Sequence, residues 1–264
     1  MTEKEVDFSF LDRSEILRIA FYPRKSVMKP SKANAKNHFV EVEKEVKIGC
    51  RFYTKGSDYP SLLHFHGNGE IVDDYDECSR FYNEIGINLF VADYRGYGFS
   101  DGTPTMTNLV RDAHKIFRSF CRIVEEGGFR KRFFVMGRSL GSIPAIEVAY
   151  HCQNYVQGLI VESGPANNLR QYIRHLVPSD HPIWNDDFSL LNKVRLRSIS
   201  TPTLIIHGEH DTGVPLKEGK ELYENSAAKN KKLVIVPNAD HNDLMIVGKK
   251  QYFEAIEEFV RKHV

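Results

Sequence analysis

The sequence predicts an α/β fold: a mostly parallel central sheet with helices on both faces. Three observations predict it. Short, nearly continuous apolar runs recur along the chain, as in strands buried on both faces. Segments with helical spacing follow most of these runs, and that alternation argues for a parallel sheet. The residues able to carry chemistry gather where the runs end, the edge where ligands bind in such sheets.

Residues 1–36 form a mostly polar N-terminal extension. Phe8, Phe10, Leu11, Ile16, Leu17, Ile19, Ala20 and Phe21 make a short amphipathic segment before Pro23, expected to pack at the edge of the core. Phe39–Val42 and Val46–Tyr53 read as two antiparallel strands around Glu43-Lys44-Glu45, and residues 56–60 as a turn. The next strand is Ser61–His66, followed by Gly67-Asn68-Gly69-Glu70 and a helix from about Ile71 to Ile85. Gly86 ends that helix, a common place for glycine. Asn88–Ala92 is a strand that opens into a glycine-rich loop, Asp93 to Gly102. A long helix from about Thr107 to Glu126 carries Leu109, Ala113, Ile116, Phe117, Phe120 and Val124 on one face, and Gly127-Gly128 ends it.

Phe133–Met136 is a strand cut off by Gly137-Arg138-Ser139-Leu140-Gly141. Ile143, Ile146, Ala149 and Tyr150 then repeat with helical spacing. Val156–Val161 is the following strand. Residues 164–200 are irregular and read as a small lid-like insertion. Thr203–His207 is a strand, about Pro215 to Ser226 a helix, Lys232–Val236 the last strand and Lys249–His263 the last helix. No repeat, low-complexity tract or linker divides the chain, so residues 1–264 are expected to form a single domain with a minimal cap.

Composition sets the outer bounds. Hydrophobic residues at 41% and charged residues at 27% are ordinary for a globular protein. A net charge of +1 gives no broad field favouring nucleic acid or an anionic membrane. The four cysteines are scattered without a CxxC pair, which reads as reduced thiols in a cytoplasmic protein. The N-terminus is too polar for a signal peptide, and no apolar run approaches the ~18 residues that span a bilayer. No cofactor is indicated, and the expected partner is a small molecule or acyl group.

Gly-x-Ser-x-Gly between a strand and a helix is the pattern of a nucleophile elbow. The serine must sit on a very tight turn that nearby β-carbons would obstruct, and Gly137 and Gly141 remove them. The pattern occurs twice, but Gly98-Phe99-Ser100-Asp101-Gly102 has loop on both sides, so Ser139 is the candidate nucleophile. A serine hydroxyl needs a histidine to take its proton and a carboxylate to orient that histidine. His241 follows the last strand in Asn238-Ala239-Asp240-His241-Asn242-Asp243. Asp211 follows strand Leu204–His207 and is the candidate acid, with Glu209 and Glu162 as rivals. Asp240 and Asp243, flanking His241, read as solvated or turn-forming.

An oxyanion hole needs two N–H donors. Leu140, after the nucleophile, supplies one. The loop after an early strand supplies the other, with Asn68 first and Gly69 second. His64 and His66 alternate on a strand without an obvious third ligand, so no metal is expected there. Arg138 lies inside the elbow and could meet an acidic substrate group; the plainer reading is a solvated or structurally paired side chain.

Four pieces together carry a resemblance: HGNGE at 66–70, DYRGYGFSDG at 93–102, GRSLG at 137–141, and LIIHGEHDTGVP followed by ADHND at 239–243. The sequence resembles the α/β-hydrolase superfamily, and within it the depalmitoylase-like branch of serine hydrolases that cleave acyl thioesters or esters. The resemblance implies the α/β-hydrolase fold. It also implies Ser139, Asp211 and His241 as a triad, with Asn68 and Leu140 at the oxyanion hole. Two departures are visible. There is no N-terminal cysteine cluster for membrane anchoring, which argues against palmitoyl-protein substrates. The short 164–200 region implies an open site with poor discrimination among acyl groups. The expected function is hydrolysis of carboxylic esters or thioesters through an acyl-enzyme. The alternatives are a small-peptide hydrolase of aminopeptidase type and a non-catalytic binding protein on the same fold.

Overall fold

The computed structural model describes residues 8–27, 34–168 and 170–264. Residues 1–7 and 28–33 of the N-terminal extension lie outside the described residues. Eight strands are β1 (Ala35–Glu43), β2 (Val46–Tyr53), β3 (Ser61–Phe65), β4 (Asn88–Ala92), β5 (Phe133–Arg138), β6 (Val156–Glu162), β7 (Thr203–Gly208) and β8 (Lys231–Val236). They form one sheet in the order β1-β2-β4-β3-β5-β6-β7-β8. β1 and β2 are an antiparallel hairpin, and β2 runs antiparallel to β4. From β4 through β8 all neighbours are parallel.

The helices are α1 (Ser14–Ala20), α2 (Tyr75–Glu84), α3 (Met106–Glu126), α4 (Ser142–His151), α5 (Arg170–Ile173), α6 (Asn192–Leu196), α7 (Leu216–Asn225), α8 (Leu244–Val247) and α9 (Lys249–Lys262). The sheet separates two apolar layers because alternate strand side chains point to opposite faces. Leu63, Phe65, Val135, Val161 and Ile205 pack with Phe117 and Phe120 of α3 and with Ile146 of α4. Leu62, Phe134, Met136, Ile160 and Ile206 pack with Tyr82 of α2 and with Tyr252, Ile256 and Phe259 of α9.

The chain departs from the sequence reading in four places. β1 begins at Ala35, inside what reads as the extension. Val72–Asp74 is a 3-10 turn, so the helix after β3 starts at Tyr75 rather than near Ile71. A short helix, α8, follows the last strand, where the sequence reads as loop. The N-terminal segment does more than cover an edge. Phe8, Leu11, Ile16, Ala20 and Phe21 are buried in the same apolar layer as α3 and α4. Residues 24–26 then run beside the glycine-rich loop: Gly98 N–H donates to Arg24 O (2.8 Å) and Ser26 N–H to Gly98 O (3.0 Å).

One feature of the topology positions the site. β3 has β4 on one side and β5 on the other, so the chain reverses its winding direction there. Loops leaving β3 and β5 diverge at such a point and leave a crevice at the strand C-termini. The turn after β5 touches β3 closely. A β-carbon on Gly141 would lie 2.1 Å from Phe65 O and 2.6 Å from His66 O. Both atoms are backbone of a central strand end and cannot yield independently. Gly141→Ala is therefore expected to lower stability by about 2 kcal/mol or more, read as a reduced urea midpoint with an unchanged slope.

Candidate active site

Ser139 sits where β5 gives way to α4, at φ +50°. For a residue with a β-carbon this backbone is strained by about 1–3 kcal/mol and must be imposed by its surroundings. The surroundings are visible. A β-carbon on Gly137 would lie 2.2 Å from Gly141 O, so the turn closes on itself. Ser142 Oγ–H donates to Ser139 O (2.7 Å), and Asn192 of α6 holds Ser142 Oγ (3.1 Å) and Pro165 O (2.8 Å).

His241 Nε2 lies 3.0 Å from Ser139 Oγ. Its Nδ1 lies 2.9 and 3.0 Å from the two oxygens of Asp211. Three strand ends thus bring together three residues separated by up to about a hundred positions. Asp211 also accepts the Val214 N–H (2.6 Å). Burial alone would raise its carboxyl, but the hydrogen bond and charge of His241, the Val214 amide and His207 outweigh it, so Asp211 lies below its ordinary value.

His207 was not singled out by sequence reasoning, although its place at the end of β7 is the available signal. Fully buried, it donates Nε2–H to Val214 O (2.7 Å) and lies 3.4 Å from Asp211 Oδ2. Burial lowers its pKa and keeps it neutral. It holds the loop whose Val214 amide steadies Asp211.

The rival residues have other partners. Glu162 is buried against Arg138 (3.2 Å) and accepts Tyr252 O–H (2.7 Å). Glu209 is exposed and accepts Asn238 N–H (3.0 Å). Asp240 takes Thr212 N–H and His241 N–H (2.7 Å each), and Asp243 takes Asp240 N–H (2.7 Å), as turn-forming groups do. Ser100 Oγ accepts Gly49 N–H (2.9 Å), and Ser100 O accepts Lys25 Nζ–H (2.7 Å). The second Gly-x-Ser-x-Gly thus fastens β2 and the N-terminal segment. His64 and His66 face different partners, Tyr75 O–H (2.7 Å) and Asp93 Oδ1 (3.1 Å).

Asn68 and Leu140 both line the cavity beside Ser139. The Asn68 side chain is a clamp. Its Oδ1 accepts Tyr22 N–H (2.9 Å) and Tyr97 O–H (2.7 Å), and its Nδ2–H donates to Ala20 O (3.0 Å). Below it, Glu70 Oε2 accepts Gly67 N–H (2.7 Å) and Tyr75 O–H (2.8 Å).

Arg138 is buried and joins these parts. Its guanidinium meets Glu70 (2.6 Å) and Glu162 (3.2 Å), and donates to His241 O (2.7 Å) and Asn242 Oδ1 (2.9 Å). Burial works against the Glu70 charge, but Arg138, His66 and the Gly67 amide outweigh it and hold that carboxyl below its usual range. Glu162 is pushed up by burial despite Arg138 and Tyr252.

Among the described residues, one group has metal-ligand geometry. His114 Nε2 and His151 Nε2 lie 2.8 and 3.1 Å from Glu147 Oε1 on the outer face of α3 and α4. Arg195 already meets the other oxygen of Glu147, so the carboxylate is compensated by a guanidinium without a metal ion.

The cavity holds about 340 Å³ and is lined by Ile19, Ala20, Tyr22, Asn68, Arg138, Ser139, Leu140, Ile143, Pro165, Asn168, Gly213, Val214, His241 and Asn242.

Comparison with known proteins gives concordant results. Residues 59–185 match the family model of serine aminopeptidases (S33), and residues 123–264 match that of the prolyl oligopeptidase family. Human alpha/beta hydrolase domain-containing protein 17B is 29% identical over 225 residues, 83% of this chain and 72% of that protein. A Saccharomyces cerevisiae protein named as an uncharacterized membrane protein is 29% identical over 187 residues, 68% of this chain and 63% of its own length. The chain thus spans about two thirds of these relatives. Among solved structures, the Pyrococcus furiosus esterase Pf2001 superposes with a TM-score of 0.73 at 20% identity, over 91% of this chain and 98% of that one. Est1E from Butyrivibrio proteoclasticus with bound ferulic acid gives 0.70 at 19%, over 86% and 98%. These likenesses show the fold.

Two outcomes follow from the buried charges. Arg138→Met leaves two carboxylates without their cation and is expected to lose about 3–5 kcal/mol of stability, with Arg138→Lys losing less, both read by urea unfolding. His64 is lowered to about 3, chiefly by burial. Below its ordinary pKa of about 6.5 the unfolded chain takes up a proton that the folded chain does not, so stability falls as pH falls. Between pH 6.5 and 5 the protein should lose about 2 kcal/mol more than its His64→Gln variant, measured by urea unfolding at each pH.

Proposed function

The chain belongs to the α/β-hydrolase superfamily and is a hydrolase, and from that premise we propose a serine hydrolase of carboxylic esters or acyl thioesters. The observation that carries this reading is the continuous hydrogen-bonded line Ser139–His241–Asp211 opening onto a cavity. In this reading His241 Nε2 takes the Ser139 hydroxyl proton as Oγ attacks the carbonyl carbon. Asp211 fixes the proton on Nδ1 and stabilises the imidazolium. The Leu140 and Asn68 amides face the oxyanion, helped by the positive end of α4. The imidazolium returns its proton to the leaving alcohol or thiol. Water, deprotonated by the same nitrogen, then releases the acyl group as an acid.

A specific observation favours esters over peptides with a free amino terminus. Among the described residues no carboxylate lines the cavity. Glu70 and Glu162 are committed to Arg138, and Asp101 accepts Lys47 N–H (3.0 Å). An ammonium group would find no countercharge there, at a large desolvation cost.

We read residues 1–264 as one functional unit, with the N-terminal segment and the 164–200 insertion as parts of a single site. Among the described residues no helix is long and apolar enough to cross a membrane. Four cysteines without a disulfide support a reducing, cytoplasmic setting.

The test is a fluorophosphonate probe on wild type and Ser139→Ala, with turnover of acyl esters, thioesters and aminoacyl amides. Wild type should label and the variant should not, and Ser139→Ala and His241→Ala should each lose at least about 10⁴-fold in kcat. Unlabelled but folded wild type would favour a binding protein, and aminoacyl amides turned over as fast as esters would favour the peptidase.

A further inference from the structure

We infer that the N-terminal segment around Ile19–Tyr22 is the specificity wall of the cavity, and that the cavity takes an uncharged aliphatic acyl group. This inference names the substrate class of the site proposed above and rests on that reading for its catalytic consequence. Its binding content does not.

Ile19, Ala20 and Tyr22 line the same cavity as Leu140 and Ile143, which follow the nucleophile. The wall reaches that position because the segment is fastened along its length. At one end the Phe10 ring lies 4.5 Å from His181 and 6.2 Å from Phe188, and Arg13 donates to Leu176 O (3.2 Å). The N-terminal segment and the 164–200 insertion therefore form one continuous cover. In the middle, Asn68 grips the backbone on both sides of Phe21, through Ala20 O and Tyr22 N–H. At the other end Gly98 pairs with residues 24 and 26.

Chemistry of the lining decides the ligand class. Ile19, Ala20, Leu140, Ile143, Pro165 and Val214 supply an apolar surface. The one permanent cation is Arg138, whose donors go to Glu70, Glu162, His241 O and Asn242. A charged acyl tail of either sign would be desolvated without a partner, whereas each buried methylene of a neutral one contributes about 0.8 kcal/mol.

The test separates binding from turnover. In the Ser139→Ala protein, hexanamide binding is measured by saturation-transfer NMR beside hexanoate and hexylammonium, with and without Ile19→Trp. Ile19 is half-buried, so the larger side chain can be carried without repacking the core. Preferential binding of hexanamide that weakens at least tenfold with Ile19→Trp supports the wall. Equal binding in both proteins, or a preference for either ion, overturns it. With Ser139 intact, Ile19→Ala should move the optimum of a p-nitrophenyl ester series to longer acyl chains, and Ile19→Trp to shorter ones, while fluorophosphonate labelling persists. Persistent labelling with an unchanged length profile overturns the wall and leaves the hydrolase reading intact. Absent labelling with retained hexanamide selectivity does the reverse.

Discussion

A single buried cation holds the site together. Arg138 is the residue before the strained serine, so its backbone belongs to the elbow and its side chain reaches outward from it. The four groups it meets come from the β3 loop, the end of β6 and the loop bearing His241. These loops leave three separate strands of the sheet, β3, β6 and β8, and the strand ladder does not tie their tips together. A planar guanidinium with five donors can satisfy several acceptors at once, which a lysine ammonium cannot do in the same geometry. Burying it is expensive, and two carboxylates offset that expense. Tyr75 and Tyr252 in turn donate to those carboxylates, with His64 and Tyr82 behind them. The Glu70 and Glu162 carboxylates are thus each held by Arg138 and a tyrosine hydroxyl, while the buried His64 Nδ1 behind them has no partner.

Ser139 depends on the same cluster indirectly. Its positive φ persists because the surrounding contacts leave the chain no relaxed alternative. Gly137 and Gly141 let the turn close, and Gly141 lies against the carbonyls that end β3. Ser142 and Asn192 then hold the Ser139 carbonyl from the insertion side. The His241 ring is located from two directions, by Asp211 at Nδ1 and by Arg138 at its own carbonyl. A histidine on a loop is otherwise mobile, and a displacement of 1 Å is enough to spoil proton transfer.

What could be read from the sequence follows the range over which each feature is encoded. The central strands are local: runs such as Phe133–Met136 and Leu204–Ile206 are apolar throughout because both their faces are covered. The elbow is local too, since five residues and their flanks specify it. Asp211 and His241 could be nominated because strand ends deliver loops to one edge. Arg138 could not be resolved between a solvated and a paired side chain, because its partners stand 68 and 24 positions away and only the register Arg138↔Glu162 brings one of them close. His207 was missed for a similar reason: a histidine at the end of an apolar strand looks the same whether it caps the core or braces a carboxylate. The N-terminal segment was legible as amphipathic but not as part of the site, since amphipathicity says that a face is buried and not against what.

Asn68 shows why that last gap matters for chemistry. Its residue type reads as a loop former, and its neighbouring glycines drew attention to its backbone amide. The side chain instead ties the loop to Ala20 and Tyr22, the wall of the cavity. The loop that carries the Asn68 amide and the wall at Ala20 and Tyr22 are therefore fastened together. If the cavity takes an acyl group as proposed, displacing the wall would pull on the amide assigned to the oxyanion. A poorly fitting acyl group would then weaken transition-state stabilisation as well as binding, so discrimination would fall on kcat together with KM.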